Sequence, residues 1–334
     1  MRLILRAALF VFVGLGTAQI PAAADAASEP SFEDILKAVV RIDSTVPPSA
    51  RTAEVLGTTR TGHGAVIGDD GLVLTIGYVV LEAESVTVTQ HDGTEIPATV
   101  VAYDHASGFG LVRAARPVAA KPLTLGDSSA LQTESSGLIA GFGGSSAAQP
   151  VQIVDRRIFA GYWEYLLEKA IFTAPPYANF GGAVLLDKNG TLVGIGSLLV
   201  GNAAKKDSYS PGNMFVPIDR LKPVLTDLIE RGRPSGPKRP WVGVYTQETQ
   251  GHLFVQRVAR DGPAEAAGIE QGDIIVNVGG EPITNQVEFY RKLWSLGGPE
   301  TRVPVTVLTK KSQIKTVEIR SVDRYSWYRI APSN

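Results

Sequence analysis

The sequence predicts a mainly β fold in two domains, and three observations predict it. Short runs rich in Val, Ile and Leu recur between Val39 and Val200, and Asp-Gly and Asn-Gly pairs of the kind that close hairpins separate them. Residues 232–240 then combine prolines, glycines and basic groups in a stretch that cannot join a core. Beyond that linker the pattern changes to strands alternating with two helical segments. Many short strands at such spacing make an all-β barrel or sandwich, and the second pattern makes a smaller α+β unit.

In chain order, residues 1–26 come first: Arg2 and Arg6, an apolar stretch from Ala7 to Ile20, then small residues around Ala22 to Ala26. This is the layout of a secretory signal peptide, cleaved after Ala24 or Ala26. The apolar stretch is broken by Gly14, Gly16 and Gln19 and is shorter than the ~20 residues a membrane span needs. The expectation is an exported chain, periplasmic or extracellular, with no membrane span.

The full chain has 32 basic and 33 acidic groups; without Arg2, Arg6 and Asp25 the exported part keeps 30 and 32, a net charge of −2. That balance offers nothing to nucleic acid or an anionic surface. There is no cysteine, so disulfides, thiol catalysis and thiolate metal sites are all excluded. No pair among His63, His91, His105 and His252 has helical metal-ligand spacing, and no cofactor is expected.

In the first domain the strands are read at 65–67, 72–75, 86–88, 100–101, 138–140, 183–186 and 192–195, with turns at Asp69-Asp70-Gly71, His91-Asp92-Gly93 and Lys188-Asn189-Gly190. A closing helix runs to Ile229, with Asp219 as its expected N-cap. In the second domain strands are read at 242–244, 253–255, 274–276, 303–308 and 314–319, and helices at 263–267 and about 285–296. Phe289 and Leu293 belong to the core face of the longer helix.

Asp261-Gly262-Pro263-Ala264-Glu265-Ala266-Ala267-Gly268-Ile269, followed by Gly272-Asp273-Ile274-Ile275, resembles a PDZ domain over residues 241–322. Pro263 starts a short helix, Gly268 ends it, and Gly272-Asp273 turns the chain into a buried strand. The resemblance implies an extended peptide, usually a C-terminus, added as a strand beside a helix with its carboxylate on backbone N–H groups. The family's carboxylate loop corresponds to Trp241, Val242, Gly243 and Val244, and Tyr290 and Trp294 on the long helix are the groove candidates.

The first domain is similar, segment by segment, to the HtrA (Deg) serine proteases. Thr61 to Ile67 resembles their opening strand, Gly71 to Val80 the strand and turn that carry histidine, Asp104 to Leu111 the segment of the aspartate, and Asn179 to Ala183 the nucleophile turn. The resemblance implies a trypsin-like double β-barrel over residues 31–231 and a PDZ domain, a small partly open barrel, over 241–322, leaving 323–334 as a tail.

At the family's catalytic positions the chain has Tyr78 for histidine, Gly108 for aspartate and Phe180 for serine. Acyl transfer needs an oxygen nucleophile, a base near neutral pH and a carboxylate to orient it. A phenyl ring and a glycine supply none of these, and a phenol with pKa near 10 is a poor base. The oxyanion loop is altered too, with Ala178 for glycine and Pro175-Pro176 where donors are wanted. The expectation is therefore a pseudoprotease without enzymatic activity. It would bind peptides or protein C-termini through the PDZ domain and act as adaptor, regulator of active relatives or holdase in envelope protein quality control. Two alternatives stay open: an active endopeptidase with a relocated nucleophile, involving Ser107 and His105, and an assembly protein acting through homo-oligomer contacts.

Overall fold

Residues 31–328 are described by the structure, a computed structural model; the signal-peptide reading falls outside the described residues. After a short helix α1 (Phe32–Lys37), strands β1 (Val39–Thr45), β2 (Thr59–Val66), β3 (Leu72–Ile76), β4 (Ser85–Thr89), β5 (Glu95–Tyr103) and β6 (Phe109–Ala114) close an antiparallel barrel in the order β1-β2-β3-β6-β5-β4; the one-turn helix α2 (Ala53–Leu56) lies between β1 and β2. Strands β7 (Ser136–Ala140), β8 (Ala148–Gly161), β9 (Tyr165–Ala174), β10 (Val184–Leu186), β11 (Leu192–Val200) and β12 (Gly212–Pro217) close a second barrel, and helix α3 (Leu225–Arg231) ends the domain. Closure leaves neither barrel an open edge.

The predicted strands lie within or next to observed ones, but the longest hairpin, β8–β9, carries no turn signal that sequence reading picks up. Its tip is Tyr162-Trp163-Glu164, without glycine, proline or asparagine, and Glu164 itself takes a φ of +53°. A non-glycine residue in the left-handed region costs on the order of 1–2 kcal/mol and persists where surrounding contacts hold it. Asp219 does not cap the closing helix. Its carboxylate accepts from Ser128 Oγ (2.6 Å), the Ser129 N–H (2.8 Å) and Lys222 Nζ (2.6 Å), and α3 starts after Val224 with no side-chain cap.

Past the linker, β13 (Val244–Thr249), β14 (His252–Val258), helix α4 (Pro263–Ala266), β15 (Ile274–Val278), β16 (Glu281–Pro282), helix α5 (Gln286–Ser295), β17 (Arg302–Leu308) and β18 (Ile314–Arg320) form the small second domain, with sheet order β13-β14-β15-β17-β18 and β13 at one edge. Asn285 caps α5 by accepting the Glu288 N–H (2.9 Å). Phe289 and Leu293 are core residues, as expected, and Tyr290 is equally buried. Val242 and Gly243 lie before β13 rather than in it.

Residues 323–328 do not trail off as a tail. Asp323 caps helix α6 (Arg324–Trp327), which packs with Tyr328 against the first barrel. His105 sits there with its ring 4.5 Å from Tyr103, 4.4 Å from Tyr325 and 5.5 Å from Tyr328, centroid to centroid, and both its ring nitrogens are buried without a hydrogen-bond partner. Burial, assisted by the Arg324 charge, holds its pKa well below the ordinary histidine value.

Two stability predictions follow from these contacts. A Cβ at Gly182 would lie 1.9 Å from the His63 carbonyl oxygen at a φ of +79°, whereas at Gly93, φ +85°, nothing lies within 4 Å; Gly182→Ala is expected to cost more than ~2 kcal/mol in urea unfolding and Gly93→Ala about 1. Because folded His105 stays neutral where the unfolded side chain takes a proton, its contribution to stability falls as pH drops below the unfolded histidine pKa of about 6.5, with a slope approaching ~1.4 kcal/mol per pH unit for that one group. His105→Phe should therefore lose less stability, or gain more, than the parent between pH 7 and 5 in the same assay.

Candidate functional site

Three segments converge where the trypsin-like chemistry would sit. Tyr78 lies in the 3-10 turn (Gly77–Val79) after β3, which Ser44 Oγ and the Arg60 guanidinium fix by bonding the Val79 carbonyl (2.5 Å) and the Tyr78 carbonyl (2.9 Å). The Tyr78 hydroxyl donates to the Ser197 carbonyl (3.0 Å), and burial raises its pKa above the ordinary phenol value. It is a protonated donor with its proton engaged, the opposite of a base.

Gly108 has a φ of +83°, and a Cβ there would be 3.5 Å from the Tyr165 ring. Tyr165 from β9 thus fills the direction in which an aspartate would project, donating its hydroxyl to the Ser107 carbonyl (2.6 Å). Phe180 is half-buried at the apex of its turn, whose geometry survives: the Ala183 N–H donates to the Phe180 carbonyl (3.0 Å) and Gly182 keeps a positive φ. The preceding Ala174–Pro175 peptide is cis. Around these residues lies a cavity of about 320 Å³, lined among others by Tyr78, Gly108, Tyr162, Trp163, Tyr165 and Phe180.

The relocated pair is not assembled. Ser107 Oγ donates to the Asp104 carboxylate (2.5 Å) and is buried, and the His105 ring has no hydrogen-bond partner. His63 Nδ1 accepts the Phe142 N–H (3.0 Å); burial lowers its pKa against a backbone hydrogen bond with Asn179. Among the described residues no group of three or more His, Cys, Asp or Glu side chains has the arrangement of a metal site.

The second site is the loop before β13. Gly243 turns the chain at φ +77°, and successive N–H groups in such a turn form an anion-binding concavity. The N–H groups of Val242, Gly243 and Val244 point at one carboxylate, at 3.4, 2.6 and 3.0 Å. That carboxylate is Glu164, from the tip of the β8–β9 hairpin. Burial pushes the Glu164 carboxyl up to about 7, against the pull of Arg324 and of the three N–H donors.

Trp241, expected in this loop, supplies no donor to the carboxylate: its N–H bonds the Val322 carbonyl (3.1 Å) and its ring lies 5.1 Å from that of Trp327. Tyr290 lies at the groove, its hydroxyl donating to the Gly161 carbonyl (2.7 Å) and accepting the Glu164 N–H (3.1 Å). Trp294 stacks on Tyr290 at 5.5 Å and lines a cleft of about 130 Å³ with Trp241, Arg239, Glu164 and Arg324. Sequence reading missed Glu164, Thr246, Gln286 and Arg324. Only the acidic residue inside the aromatic run Tyr162-Trp163-Glu164-Tyr165 offered any signal.

Residues 62–195 match the family described as Trypsin-like peptidase domain, and residues 240–320 match PDZ domain. Among curated relatives, a probable periplasmic serine endoprotease DegP-like of Bartonella henselae is 28% identical over 261 residues, 72% of this chain and 49% of the relative. The protein of that name from Pseudomonas putida (strain W619) is 29% identical over 241 residues, 66% of this chain and 48% of the relative. The chain therefore spans about half the length of the curated relatives it matches. Among solved structures, HtrA-type protease AlgW with decapeptide superimposes with a TM-score of 0.52 at 20% identity, covering 88% of this chain and 99% of that one, and AlgW with tripeptide gives 0.50 at 20% identity, covering 88% and 97%. These likenesses carry the fold. The expectation that the chain is no enzyme is corrected here, because the relatives it matches are named serine endoproteases. The chain thus carries a trypsin-like peptidase domain followed by a PDZ domain, and it is similar in sequence to DegP-like serine endoproteases.

Proposed function

We propose that the chain is a periplasmic peptide-recognition protein of envelope protein quality control, whose PDZ groove takes peptide or protein C-termini between β13 and α5. The observation that carries this reading is the loop Val242-Gly243-Val244, whose three N–H groups converge on a carboxylate at 2.6–3.4 Å. Hydrogen bonds to an ionised acceptor are about twice as strong as neutral ones, so a free C-terminus is the natural ligand class. β13 is an edge strand of its sheet, the position that strand addition needs.

Supporting it from outside, the curated relatives are named periplasmic, and the AlgW structures carry a tripeptide and a decapeptide. For the trypsin-like domain this reading assigns no role in bond cleavage to the side chains at 78, 108 and 180: Phe180 has no nucleophilic atom and the Tyr78 proton is engaged by a carbonyl. Delivery of captured chains to related proteases, or self-assembly, is the partnership that fits a peptide-binding module joined to this barrel pair.

Fluorescence polarisation with labelled peptides ending in apolar residues tests the reading. Free-acid peptides should bind at least about tenfold more tightly than the same peptides amidated at the C-terminus, consistent with the charge-assisted contact. Gly243→Val, which crowds Ala259 and Trp241, should abolish the difference. Equal binding of acid and amide forms would overturn it.

A further inference from the structure

Resting on the peptide-binding reading, we infer that the PDZ groove is built to be occupied by the chain's own β8–β9 hairpin, with Glu164 as an internal substitute for a ligand C-terminus. The match extends beyond the carboxylate. Two residues before Glu164 the Tyr162 carbonyl accepts the Thr246 N–H (3.0 Å), and Thr246 lies two residues after Val244. The hairpin tip thus runs antiparallel to β13 in the register of an added strand, as a bound peptide does.

Side chains of the groove close over the same segment. Tyr290 bonds both the Gly161 carbonyl and the Glu164 N–H, and Gln286 Nε2 reaches the Gly161 carbonyl (3.3 Å) and Thr246 Oγ1 (2.9 Å). From the other side, Arg324 donates to the carbonyls of Trp163 (3.0 Å) and Glu164 (3.2 Å). Next along the hairpin, Leu166 is buried in the PDZ core cluster. At its strained φ, Glu164 is held by contacts on every side, the signature of an over-determined backbone.

The groove and the hairpin therefore have two states: docked, with Glu164 on the loop, and released, with the loop free for an external C-terminus. An external peptide competes for the same three N–H groups, so its apparent affinity is reduced by the fraction of molecules whose groove is open. Weakening the docked state must tighten peptide binding without altering the loop that binds it.

The test compares the mature chain with Glu164→Ala and with Arg324→Gln, the second loosening the hairpin while leaving the carboxylate loop and the hairpin carboxylate unchanged. Each is titrated with one labelled free-acid peptide and its amide, and each is digested with chymotrypsin at Tyr162 and Trp163, with urea unfolding to confirm the fold. We expect both variants to bind the free-acid peptide at least tenfold more tightly than the parent, the amide to stay weak, and cleavage at the hairpin to rise several-fold. Equal affinity and equal cleavage in parent and variants would overturn hairpin occupancy while leaving peptide recognition standing. Faster cleavage with no free-acid binding in any of them would uphold the docked hairpin and overturn the peptide-binding reading instead.

Discussion

A carboxylate taken out of water is tolerable only where donors replace the water, and Glu164 has three backbone N–H donors with the Arg324 charge beside them. This contact joins the two domains at the point where each is least self-sufficient. The loop before β13 would otherwise aim three N–H groups at solvent or ligand. The tip of the β8–β9 hairpin would otherwise hold a left-handed glutamate with nothing to fix it. Tyr290, Gln286 and Arg324 each take a hydrogen-bond partner from the segment this contact positions.

The same hairpin continues into the cleft of the trypsin-like domain. Tyr162 and Trp163 line the cavity beside Phe180, and Tyr165 stands over Gly108. The Tyr165 ring and hydroxyl fill the space beside Gly108, and the hydroxyl donates to the Ser107 carbonyl. Phe180 at the apex of its turn forms part of the same aromatic wall. The cleft is thereby an apolar chamber whose walls come from the hairpin that also reaches the PDZ groove.

Much of this was legible in the sequence. Hairpin glycines at 71, 93 and 190, the proline-rich linker and the helix spacing of Phe289 and Leu293 each report a local requirement that one residue type meets, and the structure shows those requirements at the same positions. The turn at Asn179 to Ala183 was legible from its glycines, and the structure keeps its geometry, with Gly182 at a positive φ. The role of Glu164 was not: its partners lie 78–80 residues away in sequence, and an acidic residue at a hairpin tip reads as a solvated one. Helix α6 was missed for a related reason. Its Arg324 and aromatic residues gain their meaning only against His105 and the hairpin, surfaces that no local pattern announces.

Amide hydrogen exchange at Val242, Gly243, Val244 and Thr246 of the protein, with no peptide added, tests the central contact most directly. If the hairpin carboxylate and the Tyr162 carbonyl hold these N–H groups, they exchange as slowly as the amides inside β14 and β15. Exchange at the rate of an exposed loop, with β14 and β15 still protected, would contradict it.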